Sequence, residues 1–439
     1  MSPKEILIRA GKDPRVPIDA YETFRSNLIG NNNGNLMFAT ASHKLLSTDD
    51  QRVTAHGLSF HPNQAAGVNE RYDHLVLPLA NAFRKSFQPQ LEKLTEFIEK
   101  LDIPVTMLSG GAQSGSDGTF ANLKSIEGSV KRFCRAVLER SPQLSVRGQR
   151  TADYLGSLGI REVEVVGCPS LSMFGREHKV PDPDLTTLSK VAYNVETSKD
   201  VGGDLIEQAE RNYDAFYFAQ DMSTFELMLH GKDKLGVNRD ERLPLRSSHR
   251  AFNEDRARFA LDAWTWVHAL EDYDFVFGPR IHGSVAAVLA KTPALLIAHD
   301  SRTAELAEVH AIPYLTPENL VGIDRVDELA THASFAKFNI RHPENFDRLI
   351  SFVHRQGLKT IYDDDQTAAR AQYEQRIDET AFPPLVDTAW SGGGEGLRAR
   401  LAHARDVELE LATLRSELRG LKSELRRVRK GLSMAVGEK

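Results

Sequence analysis

The sequence of 439 residues lacks the features that mark secreted proteins. Its only two cysteines, Cys134 and Cys168, are too few to staple a chain of this length, so we expect both to be reduced. Residues 1–17 carry charges throughout and contain no apolar run of the kind found in a secretion signal. These absences predict a cytoplasmic protein.

Long hydrophobic runs and an excess of one charge are also missing. The longest apolar stretch, 284–298, is interrupted by Lys291 and Pro293 and is shorter than the roughly twenty residues of a membrane-spanning helix. Fifty-five basic and sixty-one acidic side chains give a net charge of −6, which provides no reason to expect a nucleic-acid partner. The sequence contains neither an H-E-x-x-H motif nor a closely spaced Cys/His set, so we expect no metal and no cofactor.

Short apolar runs alternate with longer helical patterns, which indicates parallel sheets covered by helices. The predicted strands are residues 74–79, 105–108, 144–146 and 163–166 in the first half and 191–195, 215–218, 275–277 and 294–297 in the second. Helices are predicted at 151–158, closed by Gly159, and at 254–270. A polar, proline-containing stretch near Pro181 divides the chain into predicted domains at 1–185 and 186–345.

The composition changes towards the C-terminus. Residues 346–380 belong to helical patterns at 343–353 and 367–377, which are predicted to pack back on the first domain. Residues 381–396 are rich in proline, glycine and serine and predict a flexible linker. Residues 397–434 predict a coiled coil, because apolar residues recur at alternating spacings of three and four: Ala404, Val407, Leu411, Leu414, Leu418, Leu421, Leu425, Val428 and Leu432. This seam favours a homo-oligomer; the alternative is a helix lying on the body of its own chain.

The same C-terminal segment is strongly basic, with Glu424 as the one acidic residue between positions 419 and 430. Its basic residues are Arg419, Lys422, Arg426, Arg427, Arg429 and Lys430. Such a cluster is able to contact anionic lipid headgroups, which suggests peripheral contact with the inner face of a membrane. The alternative is a solvated flank of the coiled coil.

The stretch 275–287 carries the clearest chemical signal. A buried strand leads through Arg280 and His282 into a helix predicted to start near Gly283 and Ser284, and ligands bind at this end of a parallel strand. Arg280 and the helix start favour a carboxylate or phosphate, and His282 is the candidate acid/base group. The alternatives are an arginine that bridges to an acidic neighbour and a histidine that caps the helix.

Two turns of the first domain repeat this pattern. Arg147 follows the strand 144–146 and precedes a helix with Thr151 as its candidate N-cap. Gly110 and Gly111 follow the strand 105–108 and allow close approach of the backbone to a ligand; a plain loop is the alternative.

Asparagines near the N-terminus form a third candidate turn. Asn33 and Asn35 lie in the run 31–35, which precedes the apolar run 37–41. The run is a candidate anion-binding turn, and asparagines that only fill turn positions are the alternative.

Together these pieces resemble the polysaccharide pyruvyl transferase family, from near Asn31 to near Tyr314. The matching pieces are Asn33-Gly34-Asn35-Leu36, the unit from Arg147 to Gly159, the turn Gly167-Cys168-Pro169, the most specific piece Gly278-Pro279-Arg280-Ile281-His282-Gly283 with Pro293 behind it, the segment Ala298-His299-Asp300-Ser301-Arg302, the helix around Glu305 and the turn Ile312-Pro313. The sequence departs from the family pattern at Gly148, Asn35 and Cys168, where aspartates are common. These departures concern the acceptor more than the donor.

The resemblance implies an α/β fold of two Rossmann-like domains, a GT-B-like bilobal arrangement, here followed by the C-terminal coiled-coil helix. It also implies transfer of pyruvate from phosphoenolpyruvate to two hydroxyls of one sugar, with release of phosphate. Arg280, His282 and Arg147 carry over as site residues, and Arg302 is a further candidate ligand of the substrate. The alternative functions are a glycosyltransferase that uses a nucleotide sugar and a non-catalytic scaffold tethered by the coiled coil.

Overall fold

A computed structural model of the protein describes residues 2–115, 119–233, 239–388, 391, 405 and 408–425. Its fold is mixed α/β, and parallel sheets carry the two halves of the chain. Both cysteines are buried and free. Among the described helices, none combines the length and the apolar character needed to cross a membrane.

The first sheet belongs to the N-terminal half. Its strands are β1 (Lys4–Ile8), β2 (Gln51–Ala55), β3 (His74–Pro78) and β4 (Val105–Leu108), in the spatial order β2-β1-β3-β4. Two further parallel strands, β5 (Leu144–Val146) and β6 (Val163–Val165), continue this sheet beyond β4. The connection is made by Gly110, whose N–H donates to the Ser145 carbonyl at 2.9 Å and whose carbonyl accepts from the Arg147 N–H at 2.9 Å.

The second sheet belongs to the C-terminal half, and all of its pairs are parallel. Its strands are β7 (Lys190–Tyr193), β8 (Asp214–Ala219), β9 (Ala257–Phe259), β10 (Phe275–Gly278), β11 (Ala294–Ile297) and β12 (Tyr314–Leu315). The spatial order β12-β11-β10-β7-β8-β9 reverses direction between β7 and β10. A ligand crevice is expected at such a reversal, outside the carboxyl ends of the strands.

Helices cover both sheets. They are α1 (Ala20–Arg25), α2 (Gly34–Leu46), α3 (Ala65–Arg71), α4 (Gln88–Ile98), α5 (Glu127–Leu138), α6 (Gln149–Ser157), α7 (Gly203–Asn212), α8 (Met222–His230), α9 (Arg250–Asn253), α10 (Ala263–Leu270), α11 (Ile281–Leu289), α12 (Ser301–His310), α13 (Val326–Ala330), α14 (Ala336–Arg355) and α15 (Thr367–Glu379). α2 joins the halves, since Met37 and Ala41 pack in one apolar cluster with Val285 of α11.

Most predicted strands lie within two residues of the observed ones, but the helix predicted at 254–270 is confirmed only over α10, Ala263–Leu270. The chain turns at Asp255, which has a positive φ of 52°, forms the edge strand β9, and only then enters α10. Asp262 starts that helix by accepting a hydrogen bond from the Thr265 N–H. A three-residue strand with a central arginine, next to a helix, has too short a pattern to be recognised from sequence.

The segment after the second sheet packs against the first. Leu349, Phe352 and Val353 of α14 share an apolar cluster with Ile6 and Ile8 of β1, which is where the sequence pattern placed this helix. The predicted linker differs from the structure at its beginning. Val386 pairs with Phe259 of the edge strand β9 through two backbone hydrogen bonds of 2.8 and 3.0 Å, and Thr388 is fully buried.

The described part of the predicted coiled coil, residues 408–425, is helical. Its seam is in solvent: Leu411, Leu414, Leu418, Leu421 and Leu425 are 43% to 64% exposed. Of the seam predicted from sequence, Ala404, Val407, Val428 and Leu432 lie outside the described residues, as do Arg426, Arg427, Arg429 and Lys430 of the basic cluster.

Candidate active site

A cavity of about 670 Å³ lies between the two halves. The carboxyl ends of both sheets face it, because its lining includes residues that directly follow strands of each. The charged and imidazole side chains of the lining are Arg9, Arg84, Arg147, Glu196, Asp221, Arg280, His282, His299, Arg302 and Glu305. A cavity of this size falls in the range of small-molecule binding sites.

Arg147 lies at the end of β5, and its buried guanidinium has no carboxylate partner among the described residues. Its Nε and Nη2 atoms are out of solvent and have no hydrogen-bond acceptor. The ring of Phe38 lies 5.6 Å from the guanidinium carbon and makes a cation–π contact with it. Burial lowers the pKa of Arg147, and nearby Arg302 acts in the same direction. A buried, unpaired cation that faces a cavity is the expected ligand of an anion.

His282 lies in the first turn of α11 and lines the same cavity. Its Nε2 atom is out of solvent and has no hydrogen-bond partner. Burial, together with the charges of Arg147 and Arg280, lowers the pKa of His282 to about 3, so the imidazole is neutral at pH 7. The ring fits because residue 34 is glycine: a Cβ there would lie 2.4 Å from His282 Nδ1. The Asn33-Gly34-Asn35 turn therefore makes room for the histidine.

Arg280 is held by two carboxylates, and this differs from its predicted role as a free anion ligand. Its Nη1 lies 3.1 Å from Glu196 Oε2, and its Nη2 donates to Asp221 Oδ1. Its Nε donates to the Val195 carbonyl at 3.3 Å. The structure thus shows the alternative of an arginine bridging to acidic neighbours. Because β7, β8 and β10 are adjacent strands, residues that follow them meet at one edge.

The two carboxylates differ in their electrostatics. Burial acts to raise the pKa of Glu196, but Arg280 and hydrogen bonds from Ser198 lower it overall. Burial raises the pKa of Asp221, with Glu196 acting in the same direction and Arg280 against it. Nearby, the His299 Nε2 lies 3.7 Å from Glu196 Oε2, and burial lowers the pKa of His299. Asp221 is therefore the carboxylate that takes up a proton more readily as the pH falls.

Glu305 explains why residue 148 is glycine rather than the aspartate that is common at this position. Its Oε1 accepts the Thr151 N–H at 2.8 Å, so a carboxylate from α12 caps the start of α6. A Cβ at residue 148 would lie 2.1 Å from Glu305 Cγ, so any side chain there would displace Glu305. Gly148 occupies the N-cap position, and Thr151, predicted as the N-cap, lies inside the helix.

The remaining predicted residues divide into two groups. Gly111, Asn35 and Arg302 line the cavity, with Arg302 paired to Asp300 through its Nε at 3.0 Å. Gly110, Asn33, Gly283 and Ser284 are not among the lining residues.

Each residue of the second group has a packing role instead. The Gly110 backbone joins β4 to β5 as described above, and Asn33 Nδ2 donates to the carbonyls of Ala219 and Ala260 across the two halves. Gly283 packs against Asn194, whose Nδ2 would lie 2.3 Å from a Cβ there, and Ser284 is fully buried in α11. α11 begins at Ile281 rather than near Gly283, with Arg280 at the N-cap position.

Sequence reasoning missed Glu196, Asp221, Arg9 and Arg84. Three of them, Arg9, Glu196 and Asp221, lie within three residues of the end of a parallel strand, the same position that pointed to Arg280. Polar residues that directly follow a parallel strand are candidate ligand contacts, so a search of every strand end would have found these three. Arg84 lies farther along the loop that follows β3, and no comparable signal marks it.

The fold and this cavity define an α/β protein with an arginine-lined cavity between two parallel sheets. Within that class, the polysaccharide pyruvyl transferase family model matches residues 42–301, more than half of the chain. The chain belongs to the polysaccharide pyruvyl transferase family and is a transferase. Arg147, Arg280 and His282 lie inside the matched range, whereas Asn33, Asn35 and Arg302 lie outside it. No curated protein sequence matches this chain.

Solved structures with a similar fold have low sequence identity to this chain. A UDP-N-acetylglucosamine 2-epimerase from Rickettsia bellii is 9% identical, with 80% of this chain and 96% of that chain covered and a TM-score of 0.40. A functionally uncharacterised protein from Klebsiella pneumoniae is 12% identical, with 70% and 87% covered and a TM-score of 0.37. The glycosyltransferase SnogD from Streptomyces nogalater is 12% identical, with 86% and 100% covered and a TM-score of 0.32. At these values nothing about the activity of this chain is inferred from them.

Proposed function

We propose that this protein transfers the pyruvyl group of phosphoenolpyruvate to two hydroxyls of one sugar in a cell-surface polysaccharide or glycolipid precursor. The observation that carries the proposal is the buried Arg147 guanidinium, unpaired beside the unpaired Nε2 of His282. A small polyanion satisfies both the free N–H groups and the charge of that arginine. The start of α11 adds further positive potential at the same place.

The two sheets are proposed to be the Rossmann-like halves of a GT-B-like bilobal fold. The second sheet supports this, because its order, numbered within that half, is 3-2-1-4-5-6. The donor would lie in the crevice between the halves, where Arg147 comes from one half and His282 from the other.

Ketal formation requires four bond changes at the donor, besides loss of its C2–C3 double bond. A proton is added to C3 of phosphoenolpyruvate, two sugar oxygens bond to C2, and the bond from C2 to the phosphate oxygen breaks. The two hydroxyl protons balance the reaction, since one ends on C3 and the other leaves with phosphate. We assign the first transfer to His282: the neutral imidazole accepts the proton of the first hydroxyl and delivers it to C3. Binding of the donor anion offsets the charges of Arg147 and Arg280, which raises the pKa of His282 in the complex.

The test is calorimetric titration of phosphoenolpyruvate in low salt into the wild type, Arg147→Ala and Arg280→Ala. Loss of charge-assisted hydrogen bonds to Arg147 is expected to weaken binding by roughly 10- to 150-fold. A smaller loss is expected for Arg280→Ala, because Glu196 and Asp221 already occupy its guanidinium. The exposed Arg161→Ala is the matched control and should bind as the wild type does.

Three outcomes would contradict the proposal. Strong binding by Arg147→Ala together with loss in Arg280→Ala would reverse the assigned roles. Binding of a nucleotide sugar but not of phosphoenolpyruvate by the wild type would favour a glycosyltransferase. Binding of neither donor would favour a scaffold.

A further inference from the structure

Two arginines on the wall of the cavity have no role in donor binding as proposed. Arg9 directly follows β1, and Arg84 lies in the loop after β3. The first sheet has the order β2-β1-β3-β4, so its direction reverses between β1 and β3. Arg9 and Arg84 therefore lie beside the reversal point of the first sheet, the place where an open parallel sheet binds its ligand.

These two side chains are held in place by neutral groups only. Arg9 Nε donates to the Leu58 carbonyl at 2.9 Å, and Arg84 Nε donates to Ser86 Oγ at 3.0 Å. The ring of Phe87 lies 5.1 Å from the Arg84 guanidinium carbon. Among the ion pairs of the described residues, neither arginine has a carboxylate partner. Both guanidinium groups are thus oriented but not neutralised.

The two charges also repel each other. Burial lowers the pKa of Arg9 to about 10, and the positive charge of Arg84 acts in the same direction. Burial also lowers the pKa of Arg84, with Arg302 acting in the same direction. Like charges placed together on a cavity wall destabilise the empty protein, and a bound anion removes that cost.

This pair is separate from Arg147. Three strand spacings, from β1 through β3 and β4 to β5, place the backbones of Arg9 and Arg147 roughly 14 Å apart. Arg9 donates from Nε to the Leu58 carbonyl, beyond β2, and from Nη1 to the Pro78 carbonyl, at the end of β3, at 3.4 Å. Its guanidinium is therefore held between the ends of β2 and β3, and β4 separates it from β5. Phosphoenolpyruvate carries both of its anionic groups on one three-carbon unit, so it does not neutralise both places at once.

We propose that Arg9 and Arg84 form a second anion site, which binds a phosphate or diphosphate group attached to the acceptor sugar. The acceptor is then a phosphate-linked sugar rather than a neutral glycan. This inference rests on the proposed function, since it takes the donor to be at Arg147. The cavity places a molecule held at Arg9 and Arg84 in the same enclosure as His282.

Inorganic pyrophosphate is the probe, titrated into protein that is already saturated with phosphoenolpyruvate. The wild type is expected to bind it, and Arg84→Ala is expected to bind it at least tenfold more weakly while its affinity for phosphoenolpyruvate changes less than threefold. Arg9→Ala should behave in the same way, and Arg161→Ala should bind as the wild type does. Thermal midpoints of all variants show whether any loss reflects unfolding, and Arg84→Lys, which keeps the charge, should recover part of the affinity.

Competition between pyrophosphate and phosphoenolpyruvate, or equal loss of both ligands in Arg84→Ala, would overturn the second site. If the wild type binds pyrophosphate through Arg84 but never binds phosphoenolpyruvate, the anion site stands and the proposed function fails. Titration with uridine diphosphate and with geranyl diphosphate then separates a nucleotide carrier from a lipid carrier.

A different observation carries an inference about the C-terminal helix. Glu410, Glu417 and Glu424 each precede a seam leucine, whereas Arg415 and Lys422 each follow one. In a parallel pair of such helices, Glu410 faces Arg415 and Glu417 faces Lys422 of the other helix; in an antiparallel pair, like charges would meet. The seam leucines are exposed, and the contact of this helix with the body includes a single ion pair, Glu410 with Arg25 at 3.4 Å.

We infer that this helix pairs in parallel with the helix of a second copy of the chain. The full-length wild type is expected to be oligomeric by light scattering, and the charge reversal Glu410→Lys with Glu417→Lys should weaken self-association by roughly tenfold. Adding Arg415→Glu and Lys422→Glu to that variant should restore it. In Leu425→Cys, oxidation should link two chains, since position 425 lies near one end of the seam and meets its own copy in the parallel arrangement but not in the antiparallel one. A monomeric wild type, or no restoration and no cross-link, would overturn the inference.

Discussion

The two walls of the cavity carry opposite charge. The wall from the first half presents Arg9, Arg84 and Arg147, and its described lining contains no carboxylate. The wall from the second half presents three carboxylates, of Glu196, Asp221 and Glu305, against Arg280 and Arg302. The arginines of the second wall are already paired, with Glu196 and Asp221 for one and Asp300 for the other. An anionic ligand therefore gains most on the first wall.

Because the two walls differ in charge, Arg147 and Arg280 have different surroundings. Arg147 and Arg280 both follow a strand and precede a helix, so their sequence contexts are alike. Their partners differ, because the acidic residues come from the strands that flank β10 and no described acidic residue pairs with Arg147. Burial is the main cause that keeps His282 neutral, with the charges of Arg147 and then Arg280 adding to it. In the proposed function, the unpaired Arg147 binds the ligand, whereas Arg280 is held between two carboxylates.

The largest expected effect comes from replacing His282, whose imidazole lies between the two walls of the cavity. His282→Gln should lower the rate of phosphate release from phosphoenolpyruvate by about two to four powers of ten, because an amide does not relay the proton from the hydroxyl to C3. The affinity for phosphoenolpyruvate should change little, since Arg147 remains. The measurement is phosphate release with an acceptor that supports wild-type turnover, and the exposed His332→Gln is the control. Near-full turnover in His282→Gln would remove the histidine from the mechanism.

A second prediction concerns Glu305, the carboxylate of the second wall that accepts a hydrogen bond from Thr151 at the start of α6. Gly148→Asp places a Cβ 2.1 Å from Glu305 Cγ, so it should lower the free energy of unfolding by about 1–3 kcal/mol. The double variant Gly148→Asp with Glu305→Ala removes the clash and returns a carboxylate to the N-cap of α6, where aspartate is favoured. Urea unfolding should show recovery in the double variant. A stable single variant, or a double variant no better than the single, would show that Glu305 does not take the place of the missing aspartate.

The sequence predicted more of the fold than of the site. Strands such as 105–108 and 294–297 coincide with β4 and β11, because short, mostly apolar runs between turns have few other interpretations. The Arg280 and His282 positions followed from one strand end and one helix start. The partners of Arg280 come from 59 and 84 residues earlier in the chain, and adjacency of β7, β8 and β10 alone brings them together. Glu305 caps a helix 154 residues away, which no local pattern encodes.

The smallest expected effect tests whether the ion pair with Asp221 keeps Arg280 from binding the donor. Asp221→Asn removes one of the two carboxylates that hold Arg280 and should tighten phosphoenolpyruvate binding by roughly threefold to tenfold at pH 8, because Arg280 then contributes more of its charge to the cavity. The pKa of Asp221 is raised, so wild-type Asp221 takes up a proton as the pH falls and comes to resemble the asparagine variant. The ratio of the two affinities should therefore shrink towards one on acidification, while protonation of the donor itself cancels in the ratio. Calorimetry from pH 8 down to pH 5 measures it, and a ratio that stays at one throughout would mean that Asp221 does not hold Arg280 away from the donor.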